Sequence, residues 1–373
     1  MRHAVHRLLF ATLSLLAAGT ASALTEQEQR ARLKLEVDQA EELIRHSGNL
    51  YGDPELDAYL QSVLDRLFPD QPGKLHVRVI SDSEFNAFCM PSGDIYFNTG
   101  ALLRIQDEAQ LASVLGHEGT HYTGDHGYLS VVRGKNTSRW MVLGTVIDPL
   151  LASVAAVSSM AGYSREHERD ADRGGFERMT RTGYAAAAGA EIFQRLDREL
   201  LARKLPRAAF FYADHPAVAE RIASFQSLAR EQPGGTLRNA EDYLARTERA
   251  RMAALAKIHQ RSDGALLVFL LDNEGTLAQL PPSARYYLAE GFRMRDAAGD
   301  QARAVDEYQQ TASAAPDFAP SYQALGLVHL RAGRKAEALA MFQKYLALDP
   351  DGRQAGYARG YVQQLQKELS KHE

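Results

Sequence analysis

The stretch DEAQLASVLGHEGTH, residues 107–121, decides how the rest of this chain is read. Asp107 and Glu108 suit the positive end of a helix, and Leu111, Val114 and Leu115 make an apolar stripe ahead of His117. Residues four apart on an α-helix are separated by about 400° of rotation, so His117 and His121 project from one face. Both imidazoles can then reach one zinc ion. Glu118 lies about 100° round from His117, beside such an ion rather than on it, where a general base for a zinc-activated water belongs. In a chain with 12 histidines the run is suggestive by itself, since chance can also produce it.

The stretch SREHERDAD, residues 164–172, follows, with Glu168 standing 47 residues after His121. It is polar and helix-compatible, and Glu168 and Asp172 again share one face. Taken alone it reads as a solvated, charged helix face. After His-Glu-x-x-His, a second reading gains weight. Glu168 could complete a two-histidine, one-carboxylate set with an open fourth position, and Asp172 could bond the far nitrogen of a ligand histidine.

Further runs accompany these two: Asn86-Ala87-Phe88, Pro91 to Leu103, and His215-Pro216 with Arg221-Ile222 behind it. In that order they resemble the motifs of peptidase family M forty-eight, over roughly residues 30–230. The similarity is to its BepA-like branch of periplasmic protease-chaperones. It implies an α+β zincin domain of minigluzincin type, mainly helical with a small β-hairpin or sheet, holding one zinc ion per chain. It implies Glu168 as the third zinc ligand, His215 facing the metal as an autoinhibitory plug, and Arg221 near the developing oxyanion. For His215 a helix cap ahead of Ala217 to Leu228 is the plainer alternative. The resemblance also implies that the strand after the turn at Pro91 to Asp94 edges the cleft, where an extended peptide adds by main-chain hydrogen bonds. One departure stands out. Gly119 and Thr120 fill the variable positions of the zinc motif, and Gly116, Gly119 and Gly124 each cost about 1 kcal/mol of helix propensity against alanine. His126 falls off the ligand face and reads as structural.

At 373 residues the chain is long for one core, and two domains are expected. With 43 basic against 47 acidic residues, the net charge of −4 gives no footprint for nucleic acid or an anionic membrane. Residues 1–23 read as a signal peptide: Arg2 and Arg7, an apolar run from Leu8 to Ala18, and Ala21-Ser22-Ala23 as the cleavage site. Cleavage after Ala23 and export to a periplasm are expected. Cys89 is the only cysteine, which excludes an internal disulfide; a buried small hydrophobe is the plain reading and a reactive thiol the other. Residues 140–163 are apolar or small but broken by Asp148-Pro149, and read as a lid or a membrane-surface loop ahead of a span.

Helices are expected over Glu26 to Arg45 and Asp53 to Leu67, a strand over Leu75 to Ile80, and a hairpin over Asn86 to Asn98. The peptidase domain is expected to span 24–232, ending at the breaker cluster Glu231 to Thr236. A helical linker or degenerate repeat follows over 233–282, then an all-α tetratricopeptide-repeat domain over 283–373. Ala304 and Ala338, Tyr308 and Phe342, and Pro316 and Pro350 are each 34 apart, the period of that repeat. Stacked helical pairs of this kind bind peptides or partner proteins, with a mere spacer as the plainer alternative.

The expected function is exported, zinc-dependent endoproteolysis of unfolded or misassembled envelope proteins, a quality control of outer-membrane proteins. His117, His121 and Glu168 would hold zinc and Glu118 would act as base. The repeats would engage substrate or assembly machinery. The alternative is a periplasmic chaperone or assembly scaffold whose protease site is latent or held shut.

Overall fold

The computed structural model describes residues 24–132, 163–204 and 218–370. The expected signal peptide, all of 140–163 except Tyr163, and His215 lie outside the described residues.

Local chemistry sets the first elements. Thr25 and Glu28 form a reciprocal capping box that starts α1, Glu26–His46. Asp53 accepts from the N–H groups of Glu55 and Leu56, and Pro54 opens α2, Pro54–Leu67, at the one place its missing N–H is harmless. Three short strands follow, β1 His76–Ile80, β2 Ala87–Cys89 and β3 Asp94–Asn98. The expected hairpin forms as β2 and β3, antiparallel with Phe88 opposite Tyr96. Its turn requires Gly93, at φ +100°, because a Cβ there would sit 2.1 Å from the Lys74 carbonyl oxygen.

β1 pairs in parallel with β3, so the strand order is β1-β3-β2. This corrects the expectation that the strand after the turn, at the edge of the cleft, is the one to which an extended peptide can add. β3 is central and buried throughout, and among the described residues β2 has its outer edge unpaired by any strand. The reason lies in the core. Val77, Val79, Ala87, Cys89, Ile95 and Phe97 pack towards α2 and the zinc-motif helix. Ile80, Phe88, Met90 and Tyr96 pack under Leu33, Val37 and Ile44 of α1. A strand covered on both faces and paired on both sides is the natural middle strand.

After β3 come α3 Thr99–Arg104, α4 Glu108–Thr123, α5 His126–Val132, α6 Arg165–Arg181, α7 Ala188–Arg203 and α8 Val218–Glu231. The rest is helical: α9 Ala240–Gln260, α10 Gly264–Val268, α11 Arg285–Arg295, α12 Asp300–Ala314, α13 Ala319–Arg331, α14 Lys335–Leu348 and α15 Ala355–Leu369. The architecture is mostly helical with one small sheet, an α+β arrangement. Of the residues that carry the 34-residue period, the two prolines lie exposed in turns after helices and the other four lie inside. Ala304, Tyr308, Ala338 and Phe342 are buried, and a Cβ on Gly326 would meet the Phe342 ring at 2.6 Å.

The C-terminal helices are joined firmly to the N-terminal part. Leu103 of α3 belongs to their core, beside Leu255, Leu270 and Phe292, and the Tyr243 hydroxyl of α9 donates to the Leu102 carbonyl at 2.7 Å. Beside Leu103, and within the N-terminal part, the Arg104 guanidinium of α3 grips both carboxylate oxygens of Glu199 on α7, at 2.6 and 2.8 Å, both residues buried. No described helix is long and apolar enough to cross a membrane.

Candidate metal centre

Two helices build the site. Asp107 caps α4 by accepting from the Gln110 N–H at 2.8 Å, so it stands just outside the helix rather than in its first turn. Ser164 caps α6 by accepting from the His167 N–H. The glycines that cost α4 propensity have a packing purpose. A Cβ on Gly116 would lie 3.0 Å from the Gly175 carbonyl oxygen, and one on Gly175 would lie 2.6 Å from the His117 nitrogen. The backbones of α4 and α6 therefore approach closely where the candidate ligands sit. Gly119 makes room for the Phe68 ring, which a Cβ would meet at 2.4 Å.

The close approach brings His117, His121 and Glu168 together, all buried. The Nε2 atoms of the two histidines are 3.0 Å apart. Glu168 places Oε2 3.7 Å from His117 Nε2 and Oε1 3.4 Å from His121 Nε2. Ligand atoms about 2.0–2.1 Å from a tetrahedral zinc lie about 3.4 Å from one another, so this triangle fits one face of such a sphere. Two imidazoles and one carboxylate are also the donor set of a zinc site with an open position. Among the described residues this is the one group of three such donors with that spacing.

Partners behind the cluster fix the rings. His117 Nδ1 lies 2.9 Å from Asp172 Oδ1 and 2.9 Å from Arg221 Nη2. If Nε2 keeps its lone pair for a metal, Nδ1 carries the proton and donates to Asp172. Arg221 then serves Asp172, to which its Nη2 donates at 2.5 Å, while its guanidinium lies over the Phe193 ring at 4.1 Å. Asp172 thus stands where the sequence placed it. Arg221 is buried and meets the cluster through Asp172, the Nδ1 of His117 and Glu168, whose Oε2 lies 3.9 Å from its Nη1.

Three aromatic neighbours adjoin the cluster: His126, read from the sequence as structural, and His167 and Tyr163, to which sequence reasoning assigned no role. His126 Nδ1 lies 3.0 Å from His121 Nδ1, and its ring stacks on His167 at 4.4 Å. Burial first, then the adjacent His167, lowers the His126 pKa to about 4, so its ring is neutral and can accept the His121 proton. His126 stands off the α4 face because the chain turns at Gly124 and Asp125, and a sequence shows no contact across a turn. Tyr163 stacks on His121 with ring centroids 3.7 Å apart. A cavity of about 340 Å³ adjoins this pair, bounded also by Cys89, Met90, Tyr122 and Tyr128.

Glu118 is fully buried. Burial, and after it the Glu118 carboxylate, hold the Cys89 thiol well above its usual pKa. Cys89 is thus a buried side chain of the core, with Glu118 near enough to act on it electrostatically.

Residues 53–229 match the model of Peptidase family M48. The chain is 27% identical over 222 residues to the beta-barrel assembly-enhancing protease of Escherichia coli K12, covering 54% of this chain and 45% of that one. It is 29% identical over 262 residues to a Vibrio cholerae protein of like name, covering 65% and 53%. Over 128 residues it is 29% identical to the mitochondrial metalloendopeptidase OMA1 of Arabidopsis thaliana, covering 33% and 26%. The chain spans about half the length of the first two relatives. Residues 53–229, which hold His117, His121 and Glu168, are a peptidase domain of family M48, the zinc metalloproteases.

Proposed function

We propose that the protein is an exported zinc metalloendopeptidase that cleaves unfolded or misassembled envelope proteins. The observation that carries this reading is the buried triangle of His117, His121 and Glu168, with Glu118 buried next to His117 in the chain. In this reading the three would hold zinc, which when bound lowers the pKa of a water and polarises the scissile carbonyl. Glu118 takes the proton from the attacking water and returns it to the leaving amine as the C–N bond breaks. Asp172 and His126 hold the ligand rings in the tautomer that leaves Nε2 unprotonated. The open edge of β2 offers main-chain groups to an extended substrate.

The name of the bacterial relatives, beta-barrel assembly-enhancing protease, supports beta-barrel proteins as clients, and the signal-peptide reading of residues 1–23 supports a periplasmic location. The 34-residue period supports reading 283–373 as tetratricopeptide repeats that engage clients or assembly machinery, after a domain over 24–232 and a helical stretch over 233–282. His215 keeps its proposed role as a plug over the metal.

The test is purified Glu118→Gln protein with zinc retained, assayed on β-casein. Loss of a general base should lower turnover by about 10²–10⁴-fold. Turnover equal to that of the native chain would defeat the reading.

A further inference from the structure

We propose that Tyr163 occupies, in the free protein, the main-chain position on β2 that an incoming peptide takes, and so sets how tightly substrate binds. The inference rests on the peptidase reading above.

The ladder decides which groups of β2 are available. The Asn98 N–H donates to the Asn86 carbonyl at 3.0 Å, and the Met90 N–H donates to the Asp94 carbonyl at 2.8 Å. Antiparallel pairs alternate between bonded and non-bonded, so Asn86, Phe88 and Met90 turn their main-chain groups towards β3. Ala87 and Cys89 fall in the alternate pairs, and their N–H and C=O groups point away from β3. Because β2 is an edge, the Cys89 carbonyl faces out of the sheet, beside the cavity that adjoins His121.

That carbonyl already has a donor. The Tyr163 hydroxyl reaches it at 3.4 Å, while the Tyr163 ring lies flat on the His121 imidazole, 11° from parallel. Tyr163 immediately precedes Ser164, the cap of the helix that carries Glu168, so the ring is held by the ligand framework itself. A separation of 3.4 Å is long for an O–H···O bond, whose usual length is about 2.7–2.8 Å, so the hydroxyl is a weak holder of the carbonyl. A peptide N–H arriving along the edge can make the shorter bond. It need displace only the hydroxyl, leaving the ring against His121.

The two parts of Tyr163 therefore separate experimentally. Tyr163→Phe keeps the ring and removes the competing donor. Binding of fluorescein-labelled β-casein is measured by anisotropy on the zinc-loaded Glu118→Gln chain, with and without Tyr163→Phe. Releasing one net hydrogen bond should tighten the Kd by about three- to tenfold, with zinc unchanged at about one per chain. Equal or weaker binding by the double variant, with its helical circular dichroism intact, overturns the proposal, since a merely structural tyrosine gives that result. Hydrolysis by chains that keep Glu118 is read separately. If casein binds more tightly but is never cut, the peptidase reading fails while Tyr163 keeps its place on the edge.

Discussion

The metal centre and the C-terminal helices both bury charge, and they do so in opposite ways. In the C-terminal helices the Glu290 carboxylate is ringed by His259, Arg293 and Tyr308, with His259 Nε2 and Arg293 Nη2 at 2.9 and 2.6 Å. Donors and acceptor match within that group, and the network is closed. In the metal centre three groups that act as ligands by their lone pairs converge within 4.8 Å of one another. Their matched partners, Asp172 with Arg221 on one side and His126 on the other, lie behind them. The first arrangement stabilises a fold and the second leaves a place for a cation. Burial of polar groups alone does not separate structure from function; the direction in which their lone pairs point does.

The buried Arg104–Glu199 pair, which holds α3 against α7 within the N-terminal part, gives the largest expected effect. Glu199 is buried; its desolvation is outweighed by Arg104 and Arg203, which hold its pKa below the usual carboxylate value. Glu199→Ala leaves the Arg104 charge buried without its bidentate partner, and should cost about 3–5 kcal/mol in urea unfolding. A loss under 1 kcal/mol would mean that this pair does not hold α3 against α7.

Next is the metal centre. Asp172→Asn removes the charged acceptor behind His117 and should weaken zinc affinity about 10–100-fold, read by competition with a chelator. The fold should persist by circular dichroism. Unaltered affinity would remove the contrast between a closed network and a supported ligand set.

The smallest effect is the acid sensitivity of the closed network. Burial of Glu290 opposes its ionisation, but hydrogen bonds from His259, Arg293 and Tyr308 win and lower its pKa from 4.5 to about 2. A lowered folded-state pKa means the contribution is complete above pH 4.5 and fades as pH falls through about 2. Glu290→Gln should cost about 1–2 kcal/mol at neutral pH and flatten that part of the stability profile. An acid profile identical to that of the native chain would show that Glu290 ionises equally readily in the folded and unfolded chain.

The legibility of the two regions also differed. The zinc triad could be read from spacing because His117 and His121 are one helical turn apart and Glu168 lies in a second polar, helix-compatible run. The hairpin could be read because Pro91 to Asp94 breaks two apolar runs. Gly116 and Gly119 look like defects until Gly175 and Phe68 are seen against them. Arg221 was expected near a substrate oxygen, and its partnership with Asp172 depends on how α8 lies across α6. Tyr163 and His126 gave no spacing signal, because each reaches His121 across a turn or from another helix.

By itself, the sequence determined which residues can hold a metal, the placement of the helices and strands around them, and the repeat period of the C-terminal half. These follow from rotation per residue and from capping, turn and breaker chemistry, all of them local. Tertiary structure alone decided that β2 rather than β3 is the edge strand, that the C-terminal helices are fastened through Leu103 and the Tyr243–Leu102 hydrogen bond, and that Tyr163 stands on the edge beside His121. Each of these depends on contacts between segments far apart in the chain, where packing and the pairing of buried charge select one arrangement among many that local chemistry allows.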